Sequence, residues 1–297
     1  MEIVQNKDLK KFSWWKVGGF AEYFCQPKDK EELKTALSWT KKNQKDWTVL
    51  GAGTNVLISD QGISGLVIST KKMTDFSFEK KRNSLFIVCQ AGVLKSEVMK
   101  IFKKHKLAPA LFLSGLPGDV AGGVVMNAGV GDHLTPHEFS EIVHSFKTMD
   151  FEGSTTYSKE DIKWSYRKSS GWKKSVIYEV LLKWSLDQEL DLNDKIKQEI
   201  KKRRHSQPLS EASCGSVFKN PFPLFAGSLI EQAGLKGYQQ GAVKVSQKHA
   251  NFIINLGGAT AQDIHKLITL VQKKVYDLFK VRLETEVHYL GFWKKRS

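Results

Sequence analysis

The chain has 297 residues, about two domains at a working prior of roughly 150 residues each, and is long enough to bury a core without disulfide or metal staples. Hydrophobic residues make up 41% and charged residues 26%, with 17 Phe and 8 Trp, which excludes a disordered, collagen-like or simple coiled-coil chain. Lys and Arg number 46 against 31 Asp and Glu, and the resulting +15 attracts anions without naming one.

In chain order, residues 1–11 are mixed polar and charged, with no apolar stretch leading to small residues, so no secretory signal is visible. Helical apolar spacing over 30–42 precedes strands over 47–50 and 66–68, with another strand-like run, Leu57-Ile58-Ser59-Asp60, between them. A strand over 85–89 and a helix over 95–105 come next. From 107 to 131 the only charge is Asp119, but Pro109, Pro117 and six glycines argue for an irregular buried loop rather than a membrane span. Strands over 177–184 and 251–256 alternate with helices over 191–204 and 260–279, the last opened by a cap at Thr260 before Asp263. The pattern is mixed α and β, without a repeat of the roughly 20 to 50 residues that solenoids show. The stretch 205–213, where a basic helix gives way to Pro and Ser, is the candidate domain boundary.

Three scattered cysteines, Cys25, Cys89 and Cys214, fit neither a disulfide framework nor a paired-cysteine zinc site and suit a reducing cytoplasm. His137-Glu138-Phe139-Ser140-Glu141 ends in Glu where a zinc-protease helix needs a second His, so no metal is expected. The basic runs Lys201-Lys202-Arg203-Arg204-His205 and Lys294-Lys295-Arg296 lack the interleaved aromatics of a nucleic-acid stacking platform, and solvated charge at a helix end accounts for the first.

Five segments can carry chemistry. Gly51-Ala52-Gly53-Thr54-Asn55 comes after a strand and can lay bare backbone N–H groups against a phosphate, though Val56 occupies the place of the third glycine of a Rossmann fingerprint. Alone, such a turn serves structure as readily as binding. A second loop runs Ser114-Gly115-Leu116-Pro117-Gly118-Asp119-Val120-Ala121-Gly122-Gly123 and on through Asn127-Ala128-Gly129. Two separated glycine loops with few charges suit a long cofactor held by main chain. Tyr166-Arg167 places a fixed cation beside an aromatic, suited to a carboxylate or phosphate but equally to a surface position. Ser213-Cys214-Gly215-Ser216-Val217-Phe218-Lys219-Asn220-Pro221 groups a hydroxyl, an ammonium and an amide after a glycine. Leu283-Glu284-Thr285-Glu286-Val287 alternates like a strand, with both carboxylates on one face.

The glycine loops resemble those of the vanillyl-alcohol-oxidase type of flavin fold. All five segments in this order, with Val17-Gly18-Gly19-Phe20-Ala21 before them and Ser246-Gln247-Lys248-His249-Ala250-Asn251 before Glu286, resemble the UDP-N-acetylenolpyruvoylglucosamine reductase family in its compact subtype. The resemblance implies an α+β chain: a two-lobed vanillyl-alcohol-oxidase/PCMH-type FAD-binding domain over 1–204, with lobes about 1–70 and 71–204, then a smaller α+β substrate-binding domain over 205–297 whose last strand, about 283–291, returns to the active site. It implies FAD as cofactor, NADPH as hydride donor and a UDP-sugar enolpyruvyl ether as substrate, in a cytoplasmic monomer of cell-wall precursor synthesis with no nucleic acid and no membrane insertion.

By the same resemblance Gly51, Ala52, Gly53, Thr54, Asn55, Gly115, Pro117, Gly118, Gly122, Asn127, Ala128 and Gly129 hold FAD. Tyr166, Lys219 and Asn220 bind substrate, Arg167 and Glu286 stabilise charge on the substrate carboxylate, Glu286 as a neutral acid, and Ser216 gives the proton to C2. Tyr166 as core packing and Lys219 as surface charge remain the alternatives. The chain also departs from the pattern. Asp119 stands where the family usually has Ser or Thr, an unwelcome charge beside a diphosphate, to be met by protonation or by turning to solvent. Ala121 replaces a glycine, Val130-Gly131-Asp132-His133 lacks the usual aromatic, and Trp14-Trp15-Lys16 replaces a threonine-phenylalanine-arginine run. The rival reading is an FAD-dependent oxidase or dehydrogenase of the same fold acting on an alcohol or sugar, which would keep the glycine loops without needing Arg167, Ser216 and Glu286 together.

Overall fold

The structure, a computed structural model, describes residues 1–130, 136–188 and 190–293. The basic tail Lys294-Lys295-Arg296 and the departure at Gly131-Asp132-His133 lie outside the described residues. In chain order the elements are β1 (Ile3–Asp8), β2 (Phe20–Cys25), α1 (Lys30–Lys42), β3 (Trp47–Leu50), β4 (Val56–Ile58), β5 (Ile63–Ser69), β6 (Phe76–Lys81), β7 (Ser84–Gln90), α2 (Lys95–Lys104), α3 (Pro109–Leu113) and α4 (Val120–Met126). Then come β8 (Val143–Met149), β9 (Ser154–Ser158), β10 (Lys163–Ser165), β11 (Lys168–Ser170), β12 (Val176–Ser185), α5 (Asn193–Ser206), α6 (Ala226–Gln232), β13 (Gln239–Gln240), β14 (Val243–Val245), β15 (Ile253–Asn255), α7 (Ala261–Phe279) and β16 (His288–Leu290). The chain divides into two compact units: Met1–Val4, Phe24–Ala52 and Gly65–Lys201 form one, and Gln5–Tyr23, Gly53–Ser64 and Lys202–Ser297 the other.

The first unit is built on an antiparallel sheet of order β6-β7-β12-β8-β9. Alternation in β7 buries Leu85, Ile87 and Cys89 on one face, as a sheet covered on one side requires. Over that face α2 buries Val98, Ile101 and Phe102, α3 buries Phe112 and Leu113, and α4 buries Val120 and Val124, joined by Phe139 and Phe146 in one core. Each such side chain contributes roughly 1.5–3 kcal/mol through burial. β6 is exposed at every position, Phe76 and Phe78 included, so its short Phe-Ser-Phe-Glu alternation marks no buried face. In the same unit β3 runs parallel to β5, with Leu50 opposite Ser69.

The stretch expected to be an irregular buried loop instead contains α3 and α4. Its helix signals are local: Pro109 opens α3, the Asp119 side chain accepts the Gly122 N–H as the cap of α4, and Asn127 ends that helix in the left-handed region at φ 38°. Glycine content obscures these ends.

In the second unit α7 buries Ile264, Leu267, Ile268, Val271 and Val275 in a core with Ala226, Leu229 and Ile230 of α6 and Val243, Val245 and Ile253 of the sheet β13-β14-β15. The Thr260–Asp263 capping box forms as the sequence anticipates, and the Asp60 carboxylate also accepts from Ala261 N (2.8 Å) and Gln262 N (2.9 Å). Trp15, fully buried, donates Nε1–H to the Ile253 carbonyl (2.7 Å), and its own carbonyl accepts from Asn255 Nδ2 (2.7 Å). The alternation expected to make a strand from about 283 is shorter in practice. Thr285 bridges Phe218, and the continuous strand is β16, parallel to β4. Pro221, without an N–H, prevents the Phe218 side of that pairing from running further.

Burial pushes the Cys25, Cys89 and Cys214 thiols up to about 12. Asp60 supplies two of the unpaired N–H groups at the start of α7 with an acceptor, so Asp60→Ala should lower unfolding free energy by about 1 kcal/mol in urea titration; an unchanged midpoint would show that Thr260 suffices as cap.

Candidate active site

The first glycine loop leaves β3 at Leu50. Gly53 has φ 75°, and a Cβ there would lie 1.8 Å from the Phe12 carbonyl oxygen, so only glycine fits. The Gly53 carbonyl accepts from Trp14 N (3.0 Å). Thr54 is half-buried. Asn55 donates Nδ2 to the Glu286 carbonyl (3.0 Å) and accepts from His288 N (3.1 Å), so the loop's last residue is tied to the backbone on either side of Val287.

The second loop turns at Gly115, Pro117 and Gly118, the last with φ 90°. Lys95, buried at the start of α2, donates Nζ to the Pro117 carbonyl (2.8 Å) and its amide to the Gly118 carbonyl (3.0 Å). Asp119 is neither at the surface nor turned to solvent: it is buried, with Oδ2 accepting from Ala52 N (2.5 Å) and Oδ1 from Gly122 N (2.7 Å). One carboxylate thus bridges both glycine loops, and a Cβ on Gly51 would meet it at 2.5 Å. Burial raises the Asp119 pKa, opposed by the Gly122 and Ala52 amides and by the positive charges of Lys95 and Lys71. Burial likewise lowers Lys95 to about 8 against the pull of Asp119.

Asn127 is committed to the fold through its side chain. Nδ2 donates to the Glu138 carboxylate (2.7 Å) and the Ser165 carbonyl (3.2 Å), while Oδ1 accepts from Ser140 N (3.0 Å). Ala128 pairs through its backbone with Gly123 and Phe139. Strands β10 and β11 form a hairpin whose two-residue turn is Tyr166-Arg167. Arg167 sits there at φ 56°, a left-handed conformation that costs a non-glycine residue of the order of 1 kcal/mol. Its guanidinium lies 4.8 Å from the centre of the half-exposed Tyr166 ring and donates to the Gly129 carbonyl (3.0 Å). Arg167, Tyr166, Asn127 and Gly129 are therefore brought together, and Tyr166 is not core packing.

In the second unit Gly215, at φ 74°, turns the chain into Ser216. Asn251 clamps the next two residues: it accepts from Phe218 N (2.9 Å), donates Nδ2 to the Phe218 carbonyl (2.8 Å), and takes the Val217 N–H on its own carbonyl (2.8 Å). Glu286 N donates to the Val217 carbonyl (2.8 Å) beside the Phe218–Thr285 bridge, so Ser216 and Glu286 ride on two paired segments. Lys219 lies 3.5 Å from the Glu284 carboxylate, and the Asn220 side-chain oxygen accepts from Ala226 N (3.1 Å). Ser216 and Asn220 line a cavity of about 410 Å³ with Phe225, Lys248, His249 and Asn251. His249 Nδ1 accepts from Asn251 N (3.2 Å), and burial with the Lys236 charge favours its neutral form. Lys248 and His249 belong to the run 246–251 but carry no spacing that marks a site, and Lys95 looks like any first residue of an amphipathic helix.

Residues 207–290 match the family model described as the UDP-N-acetylenolpyruvoylglucosamine reductase C-terminal domain, and residues 21–157 match the FAD binding domain model. A UDP-N-acetylenolpyruvoylglucosamine reductase of Clostridium tetani (strain Massachusetts / E88) is 38% identical over 97% of this chain and 92% of its own length. One of Bacillus pumilus (strain SAFR-032) is 34% identical over 98% of this chain and 94% of its own. The crystal structure of UDP-N-acetylenolpyruvylglucosamine reductase from Thermus caldophilus aligns with a TM-score of 0.79 at 28% identity, covering 98% of each chain. The fold is accordingly the α+β, vanillyl-alcohol-oxidase-type FAD-binding architecture followed by a substrate-binding domain.

The chain's own residues fit FAD. Ala52 and Gly122 amides converge on an anionic group, and the Ser69 and Thr70 hydroxyls, at the end of the strand beside Leu50, are buried without a hydrogen-bond partner. Among the described residues no helix is long and apolar enough to cross a membrane.

Lys95 couples the stability of the fold to pH. With its folded pKa near 8, below the ordinary 10.5, the unfolded chain binds more protons here between those values, so this group adds stability as pH rises from 8 to 10.5. Relative to Lys95→Met, the wild-type chain should gain about 1–3 kcal/mol across that window in urea unfolding; parallel pH profiles would refute it.

Proposed function

The chain belongs to the UDP-N-acetylenolpyruvoylglucosamine reductase family, and on that premise we propose how its residues perform the reaction, the NADPH-dependent reduction of a UDP-sugar enolpyruvyl ether to the lactyl ether in peptidoglycan precursor synthesis. Likeness over nearly the full length of both chains carries this reading. FAD, when bound, supplies the relay of hydride from NADPH to C3 of the enolpyruvyl group. It is held by main chain of Gly51, Ala52, Gly53, Thr54 and Asn55 and of Gly115, Pro117, Gly118, Gly122, Asn127, Ala128 and Gly129. For Asn127 that leaves the backbone, since the side chain is engaged elsewhere.

Hydride arrival at C3 leaves negative charge at C2, delocalised onto the substrate carboxylate. Arg167 supplies a permanent cation for that carboxylate, and its strained backbone is the kind of outlier that persists at sites of function. Glu286 donates to the same charge as a neutral acid. Ser216 delivers the proton to C2: a hydroxyl is a weak acid, but adequate toward a carbanion when held in place, and the Asn251 clamp on Val217 and Phe218 restricts its position. Proton donation of this kind contributes roughly 10²–10⁴-fold and a preorganised oxyanion donor roughly 10²–10³-fold. Tyr166, Lys219 and Asn220 bind substrate. Residues 205–297 serve the substrate and 1–204 the cofactor, in a cytoplasmic monomer.

The purified protein should be yellow, bleached by NADPH and recoloured by the enolpyruvyl UDP-sugar; a colourless protein that FAD cannot reconstitute would sink the reading. Ser216→Ala should bleach with NADPH at close to the wild-type rate yet fail to recolour, and full turnover in that variant would remove Ser216 as proton donor. Glu286→Gln should lose less activity than Glu286→Ala, since an amide still donates; equal losses argue against the neutral acid.

A further inference from the structure

We propose that Asp119 is a resident competitor of the cofactor: its carboxylate occupies the Ala52 and Gly122 amides that the FAD diphosphate takes up, so FAD is held by displacing it. This rests on the reading that FAD lies along the two glycine loops. Three observations carry it. Both carboxylate oxygens are engaged, one by each loop, with Ala52 and Gly122 as donors at 2.5 and 2.7 Å. The group is buried, so it has no water into which to retreat while remaining in place. The bare Cα of Gly51 and of Gly122 lies against it, such that a Cβ would meet the carboxylate at 2.5 and 2.9 Å; the space in front of both amides is filled by this side chain.

A diphosphate arriving there meets a like charge in a setting of low dielectric, where such juxtaposition is strongly unfavourable. Two routes relieve it. The carboxyl can take a proton, which burial already favours, or it can move toward the opposite charges that face it, Lys95 from the start of α2 and Lys71 from the turn after β5. Under either route the carboxylate opposes FAD by its charge, which neither serine nor asparagine carries. Serine and asparagine cap helices as well as aspartate does, so replacing Asp119 by either keeps α4 closed.

The test measures FAD release from the full-length holoenzyme on dilution, by the recovery of flavin fluorescence, for the wild type, Asp119→Ser and Asp119→Asn between pH 5 and 9. At pH 8 both variants should hold FAD about tenfold more tightly than the wild type. The gap should narrow as pH falls, because burial favours the protonated form of the wild-type carboxyl, whereas pH dependence that persists in the variants belongs to Lys95. Yellow variants that release FAD as readily as the wild type, or more readily, at pH 8 would overturn the competitor role while leaving the cofactor reading intact. Wild type and variants that all purify colourless and take up no FAD would overturn both.

Discussion

A buried backbone must pair its N–H and C=O groups, and from Leu107 to Val130 this protein carries a nearly chargeless backbone through its interior. Its surroundings answer that constraint. Two short helices pair part of it. Lys95 reaches the Pro117 carbonyl, Ser169 Oγ donates to the Val124 (2.5 Å) and Val125 (2.9 Å) carbonyls, Asn127 closes one helix end and Asp119 the other. Charged side chains enter the core here because main chain required partners, and the perturbed ionisation of Asp119 and Lys95 is a result of that. The Ala52 and Gly122 amides proposed to donate to a cofactor already donate to Asp119, so on that proposal folding and binding draw on shared donors.

Amide side chains do the corresponding work in the second unit. Asn251 pairs both backbone groups of Phe218, as a neighbouring strand would, and Asn255 holds the Trp15 carbonyl while accepting from Gly257 N (2.8 Å). A segment holding Gly215 and bounded by Pro221 cannot rely on a regular ladder. Side-chain pairing gives it a fixed path without a long strand, and the short bridge to Thr285 then suffices to set Glu286 beside it.

Most of the helical architecture is legible in periodicity: apolar spacing predicts α1 over its observed span, and the Thr260 cap opens α7 where its residues place it. Where periodicity misleads, the information is local and of another kind. Asp119 and Asn127 are good cap residues at the two ends of α4, yet the glycines between them suppress helix propensity, and their use is explained by close approach, of Gly123 to the Phe139 ring and of Gly122 to the Asp119 carboxylate. β6 offers no buried face, and its alternation stops after Phe76 and Phe78. Among the candidate site residues, Arg167 and Ser216 are picked out only by the resemblance of their segments to the family's. No pattern along the chain could show that Asp119 would reach Ala52, 67 positions away, because that bond depends on two loops meeting in space.

The three buried thiols give the molecule a built-in clock. A thiol at about pKa 12 is ionised at roughly one part in 10⁵ at pH 7, and the thiolate is the form that reacts. Alkylation of the native protein therefore has to wait for an opening that wets the sulfur. Cys25 and Cys89 keep time for one unit and Cys214 for the other. The order in which the three are labelled is a record of which part of the chain breathes first.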